Sequence, residues 1–201
     1  MPRAIQLLLG ALVPISAVLG QPPDFNEQLH RYLALAPMSM TYKYDLVIDD
    51  VSRQWEGNIF IHGTGRFRVQ LWDKIYASDS SSLYLHDNNT GQTVIDSLRW
   101  SDLNLWLRLL NGELPETVTV TSGDLQGNLA VYDLKDSADG WAATVILDTL
   151  SLRLVSIDLV DEHGYRHQLE IGVPAEFHRE DVRSFYRLED LPGTRLDLRQ
   201  E

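Results

Sequence analysis

Hydrophobic residues occupy every second position over much of this chain. In MTYKYDLVID, at residues 40–49, apolar or aromatic side chains alternate with polar ones, which is typical of an antiparallel strand with one buried face. Similar patterns follow at 57–63, 66–71, 82–86, 117–121, 128–134, 142–148, 152–160 and 165–171, with shorter apolar pieces at 184–188 and 194–198. Turn sequences such as DNNTG, SGDLQG, SADG and DEHG separate them. The pattern predicts a mainly β fold of about ten or eleven strands.

Two segments have helical spacing instead. Apolar residues recur at helical intervals over 25–35, and Pro37 ends that segment. The second segment, SDLNLWLRLLNG at 101–112, has Ser101 as a candidate N-cap and Asn111-Gly112 as a helix stop. The pattern therefore predicts two short helices.

The second helix is apolar on two sides. At about 100° per residue, Leu105 and Leu109 lie opposite the stripe that contains Trp106. One sheet face cannot cover both sides, and leaving two leucines in water forgoes about 1.5 to 3 kcal/mol each. Either a long loop covers the second side, or the helix is a lid over an apolar cavity. Five tryptophans and eight tyrosines, taken together, favour the cavity.

The first twenty residues have the pattern of a secretory signal peptide. Arg3 precedes an apolar stretch from Ile5 to Leu19, and we expect cleavage before Gln21. Residues 21–201 would then form one exported domain.

Composition narrows the possible functions further. The chain has no cysteine, which excludes disulfides, thiol catalysis and a lipid anchor at the signal boundary. The net charge of −12 argues against a nucleic-acid partner, because phosphate binding needs a basic surface.

Candidate catalytic or metal-binding groups are sparse. His163 and His167 are the closest histidine pair, but no third ligand lies at a fixed offset, so a solvated hairpin with Asp161 and Glu162 as turn carboxylates is favoured over a zinc site. The serine run at 78–82 lacks the GxSxG context of a nucleophile. We expect no catalytic residues, no metal and no cofactor.

The order of elements and several motifs resemble one known family. The run EGNIFIHGTGRFRVQL is followed by IYASDSSSLYLHD, an apolar helix and a closing FYRLEDLPGTRLDL. The positions that match the family's motifs are Gly57, Ile59, Ile61, Phe67, Val69, Asp79, Leu83 and Tyr84. Over about residues 25–198, the chain resembles the periplasmic outer-membrane lipoprotein carrier proteins, the LolA family.

The resemblance implies an incomplete, half-open antiparallel β-barrel with a helical lid at 101–112. It also implies a monomeric periplasmic carrier that takes acylated lipoproteins from an inner-membrane release transporter to an outer-membrane receptor, with only transient membrane proximity. Either set of alternate residues along a strand could face the cavity. If the apolar set does, the candidate acyl contacts are Ile59, Ile61, Phe67, Val69, Leu71, Leu105, Trp106 and Leu109.

The sequence departs from the family pattern in three ways. Gly63 and Thr64 stand where the family has a lid-holding arginine and a proline, so that latch is either missing or supplied by Arg66 or His62. Ser80 replaces the glycine that usually follows the aspartate. The strong net acidity is unexpected in a carrier that docks on its partners by charge.

Two alternative functions stay open. One is a periplasmic lipid-binding or lipid-sensing module of the same fold. The other is a secreted hydrolase that uses carboxylates in the same cavity, where paired acids need only be neighbours in space.

Overall fold

The computed structural model describes residues 22–63, 65–99, 103, 105–178 and 185–199, without the side chains of Ser122 and Asp190. The predicted signal peptide and the N-cap candidate Ser101 lie outside these ranges. Within them, no helix has the length and hydropathy needed to cross a membrane.

Helix α1 (Phe25–Leu33) begins where the pattern predicts it. Asp24 caps the helix, because its Oδ1 accepts a hydrogen bond from the Glu27 N–H at 2.9 Å. The ring of Phe25 packs edge-on against the ring of Tyr132, with 5.0 Å between centroids. The start of the helix is therefore fixed on the sheet.

The described strands form one continuous thirteen-stranded sheet. In chain order they are β1 (Met38–Ile48), β2 (Val51–Ile61), β3 (Arg66–Leu71), β4 (Lys74–Asp79), β5 (Ser82–Asp87), β6 (Gln92–Ser97), β7 (Val118–Gln126), β8 (Leu129–Asp136), β9 (Ala142–Asp148), β10 (Arg153–Val160), β11 (Arg166–Ile171), β12 (Ala175–Glu176) and β13 (Thr194–Asp197). Helix α2 (Leu105–Leu110) lies between β6 and β7 in the chain.

The strand order leaves the sheet open. It runs β13-β6-β5-β4-β3-β2-β1-β11-β10-β9-β8-β7, with β12 paired to the start of β1. Neighbours are antiparallel except for β13 and β6, which are parallel. Because β7 and β13 do not pair with each other, the sheet does not close on itself. The predicted half-open barrel with two short helices is confirmed.

The sequence pattern predicts fewer strands than the structure contains. It misses β4, β6 and β12. Buried positions of β4 and β6 include the polar residues Ser78 and Thr93, so the alternation of apolar and polar residues is weak there. The described residues of the apolar piece at 184–188 do not form a strand: Phe185 and Tyr186 are helical, and a 3-10 helix follows at Leu188–Asp190.

The prediction of a turn at SGDLQG is wrong, because β7 continues through Gln126. Its pairing with β8 is irregular between Ser122 and Leu125. A Cβ at Gly123 would lie 2.2 Å from the carbonyl oxygen of Val131. The glycine thus lets two backbones approach at an irregularity in the ladder instead of ending the strand.

One face of the sheet carries the main hydrophobic core, and we call it the inner face. Alternation along β1, β2 and β3 places Met40, Ile59 and Val69 side by side on it. The same buried cluster includes residues of β8 to β11 and of both helices. Both helices therefore cover the inner face.

A second, smaller cluster lies on the outer face of β4 to β6. Ile75, Ala77, Tyr84 and Ile95 pack there with Leu188 from the C-terminal segment. That segment crosses the outer face and ends as β13 beside β6. The C-terminal segment therefore covers the outer face of β4 to β6.

Asp79 anchors the C-terminal segment. Its carboxylate accepts a hydrogen bond from Arg187 Nε at 2.7 Å and from the backbone N–H groups of Ser81 and Ser82 at 3.1 and 3.0 Å. Burial acts to raise the pKa of Asp79, but these hydrogen bonds together hold it well below its usual range.

We expect the Asp79→Asn variant to lose stability in a pH-dependent way. A carboxyl whose pKa is lower in the folded chain contributes stability above its unfolded pKa of about 3.9, and that contribution disappears as the pH falls through the folded value. The free energy of unfolding should therefore be lower for the variant than for the wild type at pH 6, and this difference should become smaller below about pH 4. Urea titrations at several pH values measure the difference in free energy of unfolding. A difference that does not change with pH would contradict the role given to the Asp79 carboxylate.

Replacing Ser80 with glycine should stabilise the protein. Its φ is +83°, a left-handed conformation that costs a residue with a Cβ about 1 to 2 kcal/mol. After allowing for the greater freedom of glycine in the unfolded chain, Ser80→Gly should raise the free energy of unfolding by about 0.5 to 1 kcal/mol. Ser80→Ala is the control, because it removes the hydroxyl and keeps the Cβ; an equal gain in both variants would exclude a backbone origin.

Candidate functional site

Helix α2 ends at the predicted stop. Gly112 has φ of +71°, and the N–H groups of Gly112 and Glu113 donate to the carbonyls of Leu109 and Arg108, both at 2.9 Å. This pair of bonds is a Schellman motif, which satisfies the last carbonyls of the helix. The described helix starts at Leu105, so it is shorter than the predicted segment.

Both apolar sides of α2 are buried. Leu105 and Leu109, expected to face a cavity, are 7 % and 0 % exposed. Of the six helical residues, Arg108 alone is not buried. A Cβ at Gly112 would lie 2.0 Å from Leu33 Cδ1, so the ends of α1 and α2 touch. Helix α2 therefore belongs to the hydrophobic core and also covers the inner face of the sheet.

The structure brings all eight predicted acyl contacts into one buried cluster. They share the inner face of β2 and β3 or belong to α2, and they are Ile59, Ile61, Phe67, Val69, Leu71, Leu105, Trp106 and Leu109. Leu105 and Trp106 also line a cleft, whereas the lining of that cleft does not include the other six.

The cleft lies between α2 and two turns of the sheet. Its volume is about 540 Å³, within the range of small-molecule sites, about 300 to 1,000 Å³. The apolar side chains that line it are Leu103, Leu105, Trp106, Trp141 and Leu159. The polar ones are Arg108, Asp139, Asp161, Glu162 and His167. An apolar wall thus meets a charged rim.

A chain of hydrogen bonds orders part of this rim. His167 Nδ1 is 2.7 Å from the hydroxyl of Tyr44, and His167 Nε2 is 3.1 Å from Oδ2 of Asp161. Burial acts to raise the pKa of Asp161, but the His167 contact and the backbone N–H groups of Tyr165 and His163 lower it overall. An ionised Asp161 can only accept, so in the neutral imidazole Nε2 carries the proton and Nδ1 accepts from Tyr44.

The Tyr44 hydroxyl stays protonated in this arrangement. Burial, followed by the charges of Asp161 and Tyr76, raises the pKa of Tyr44 to about 12. On the opposite side of the cleft, Arg108 makes a bidentate pair with Glu113, with Nε and Nη2 at 2.5 and 3.0 Å from the two carboxylate oxygens. The charged rim therefore consists largely of groups that are already paired.

Aromatic rings join the cleft to the neighbouring hairpins. The ring of Tyr44 lies 6.0 Å from Trp106, 5.8 Å from Trp55 and 6.5 Å from Trp72. The indole Nε1 of Trp106 is buried and has no hydrogen-bond partner among the described residues. A ligand in the cleft would lie close to this ring.

Sequence reasoning missed the rim of the cleft. His167 and Asp161 were expected in a solvated hairpin, yet their side chains are only 20 % and 19 % exposed. Trp141 and Leu159 lie far from α2 in the sequence, and the topology brings them together. In the described ranges, no group of three or more His, Asp or Glu side chains is placed to hold a metal ion.

Neither Arg66 nor His62 is placed to hold α2, so of the two expectations for the family's lid latch the structure favours a missing one. Ile61 and Phe67 point inward, so alternation directs His62 and Arg66 outward, away from α2. The ring of His62 lies 6.2 Å from that of Tyr186 in the C-terminal segment.

Comparisons with known proteins address the fold. No protein-family model matches the chain, and no curated protein matches it by sequence. The structure resembles that of an uncharacterized conserved protein from Thermus thermophilus, with a TM-score of 0.53 and 12 % identity over 85 % of this chain and 98 % of that one. The shared property is the fold.

Two further solved structures are similar more loosely. A LolA superfamily protein from Nitrosomonas europaea matches with a TM-score of 0.43 and 9 % identity over 79 % of this chain and 97 % of that one. MucB matches with a TM-score of 0.38 and 14 % identity over 79 % of this chain and 62 % of that one. The predicted LolA/LolB-like architecture, a half-open barrel with helices on its inner face, agrees with the structure.

We expect Leu109→Ala to be strongly destabilising. Removing a fully buried leucine costs about 2 to 5 kcal/mol, because a cavity remains. Leu150→Ala is the control, since Leu150 is 77 % exposed and should cost less than about 0.5 kcal/mol. Denaturant unfolding measures both; a cost below about 1 kcal/mol at position 109 would mean that α2 lies over empty space.

Proposed function

We propose that this protein carries acyl chains, taking up the acyl chains of lipoproteins and shuttling them from the inner to the outer membrane. The observation that carries the proposal is the cleft beside α2. Its apolar wall includes Leu105 and Trp106, which also belong to the buried layer between the helix and the inner face. An acyl chain that enters the cleft meets this layer directly.

The energetics suit a carrier. A sixteen-carbon chain carries roughly 12 kcal/mol of transfer free energy at about 0.8 kcal/mol per CH₂, so it crosses water slowly without a cover. Helix α2 is joined to the inner face by side-chain packing. If the helix moves outward, an acyl chain can lie between its leucines and the inner face, so that both apolar surfaces stay covered. Such binding needs no catalytic group.

The proposed binding set is the eight-residue cluster, with Leu105 and Trp106 as first contacts. The partners in this proposal are acylated lipoproteins, an inner-membrane release transporter and an outer-membrane receptor. The protein would be a periplasmic monomer, exported by the signal peptide at residues 1–20 and without a lipid anchor.

Identifying the lipids extracted from the purified protein by mass spectrometry separates the candidate functions. A triacylated peptide would support the carrier. A phospholipid or glycolipid would favour a lipid-sensing module of the same fold. An empty protein that hydrolyses esters or glycosides would favour an enzyme.

Thiol labelling tests where the chain binds. The protein has no cysteine, so Leu105→Cys introduces a single thiol into the cleft wall. A synthetic triacylated lipopeptide at ten times its Kd should slow maleimide labelling of that thiol about tenfold. The control is Val160→Cys, because Val160 is 44 % exposed and follows the inward Leu159.

Labelling at position 160 should not change. Equal protection at the two positions would indicate nonspecific lipid coating, and no protection at position 105 would contradict the acyl-binding proposal.

A further inference from the structure

Strand β2 is paired on one side along its whole length and on the other side along only three residues. Its register with β1 runs from Val51 to Ile61, whereas its register with β3 covers Ile59 to Ile61. Residues 51–58 therefore form a strand edge that pairs with no other described strand on that side. We call this stretch the β2 edge.

Side chains hold β3 away from this edge. The hydroxyl of Tyr42 donates a hydrogen bond to the carbonyl oxygen of Gln70, so a side chain occupies that acceptor. The ring of Tyr42 lies over Gly57, where a Cβ would be 2.8 Å from Tyr42 Cε1. Both contacts fill the space between the two strands at this level, so the separation is built into the packing.

The β2 edge is accessible. Val51 is 60 % exposed, and the next three side chains are also exposed. A groove of about 370 Å³ follows the lower part of the edge and is lined in part by Gly57, Gln70 and Trp72. Trp72, itself 41 % exposed, packs edge-on against Trp55 at 5.1 Å.

The chemistry of such an edge fits one class of ligand. A row of backbone N–H and C=O groups is matched by another extended backbone, and adjacent grooves accept its alternate side chains. Natural edges are commonly protected by proline or lysine, but VSRQWEGN at 51–58 contains neither.

The charges around the edge favour a basic ligand. Along the edge itself, Glu56 lies 3.8 Å from Lys43, Arg53 is exposed and Arg68 lines the groove. The acidic excess lies at the two ends, where Asp49 and Asp50 form the β1–β2 turn and Asp73 belongs to the β3–β4 turn.

We propose that the β2 edge binds an extended, basic segment of a partner polypeptide by strand addition, with Trp55 and Trp72 contacting its side chains. The site is separate from the acyl-chain cleft, and the inference does not depend on the function proposed for that cleft.

Hydrogen exchange measured by mass spectrometry tests the site. The probe is an acetylated octapeptide of alternating lysine and valine, added to the purified protein. Because half of the N–H groups of a strand face each neighbour and Tyr42 fills the space at the level of Gly57, about three amides within 51–56 should exchange at least tenfold more slowly with the probe. The same peptide N-methylated at alternate residues keeps its side chains and charge but lacks the donors; it should bind at least tenfold more weakly, since several hydrogen bonds are lost.

A matched pair of variants tests the location. Lys43 faces Glu56 of β2 on one side and Glu170 of β11 on the other. Glu56→Lys should weaken binding of the probe severalfold, whereas Glu170→Lys changes the charge beside the same lysine and should leave it within about twofold.

Three results would overturn the proposal. The first is no protection of residues 51–58 by the probe. The second is equal protection by the N-methylated peptide, which would mean that the backbone is not recognised. The third is protection that appears with increasing protein concentration alone, because the edge would then be an interface with a second copy of the chain.

Discussion

The packing of α1 and α2 against the inner face is the contact on which the rest of the structure depends. A sheet whose end strands β7 and β13 do not pair cannot bury its concave surface by closing on itself. The helices supply that cover, and α2 does so with five of its six residues buried. The need to bury about 1.5 to 3 kcal/mol per large apolar side chain explains why so short and apolar a helix is present.

The strands and α2 are held in different ways. The strands are held by ladders of backbone hydrogen bonds, whereas α2 meets the inner face through apolar side chains, which have no directional requirement. The proposed carrier function depends on this difference, because an acyl chain could enter between α2 and the sheet without breaking a ladder. The ends of the two helices touch at Leu33 and Gly112, so α2 cannot move toward α1 without displacing it.

Much of this fold follows from local sequence. The Asp24 cap, the Gly112 stop and the alternation in β1, β3 and β9 each reflect short-range rules, and parity along β2 and β3 places the buried cluster correctly. Local patterns do not predict which turns, distant in the sequence, lie side by side in the fold. Asp139, Asp161 and His167 form one rim only because the sheet topology aligns the β8–β9 and β10–β11 turns beside α2. Gly123 shows the same limit: the sequence marks a special backbone position, but the approach of Val131 decides that it is an irregularity within a strand.

Tyr44 links the two candidate sites. Its hydroxyl is bonded to His167 on the rim of the cleft, and its ring contacts Trp106 of α2 and Trp55 of the β2 edge. Close-packed rings transmit displacement, because a dense interior has few voids to absorb it. Tyr44 is therefore the residue through which the two candidate sites are in contact, and a movement of its ring would have to break or stretch the hydrogen bond to His167.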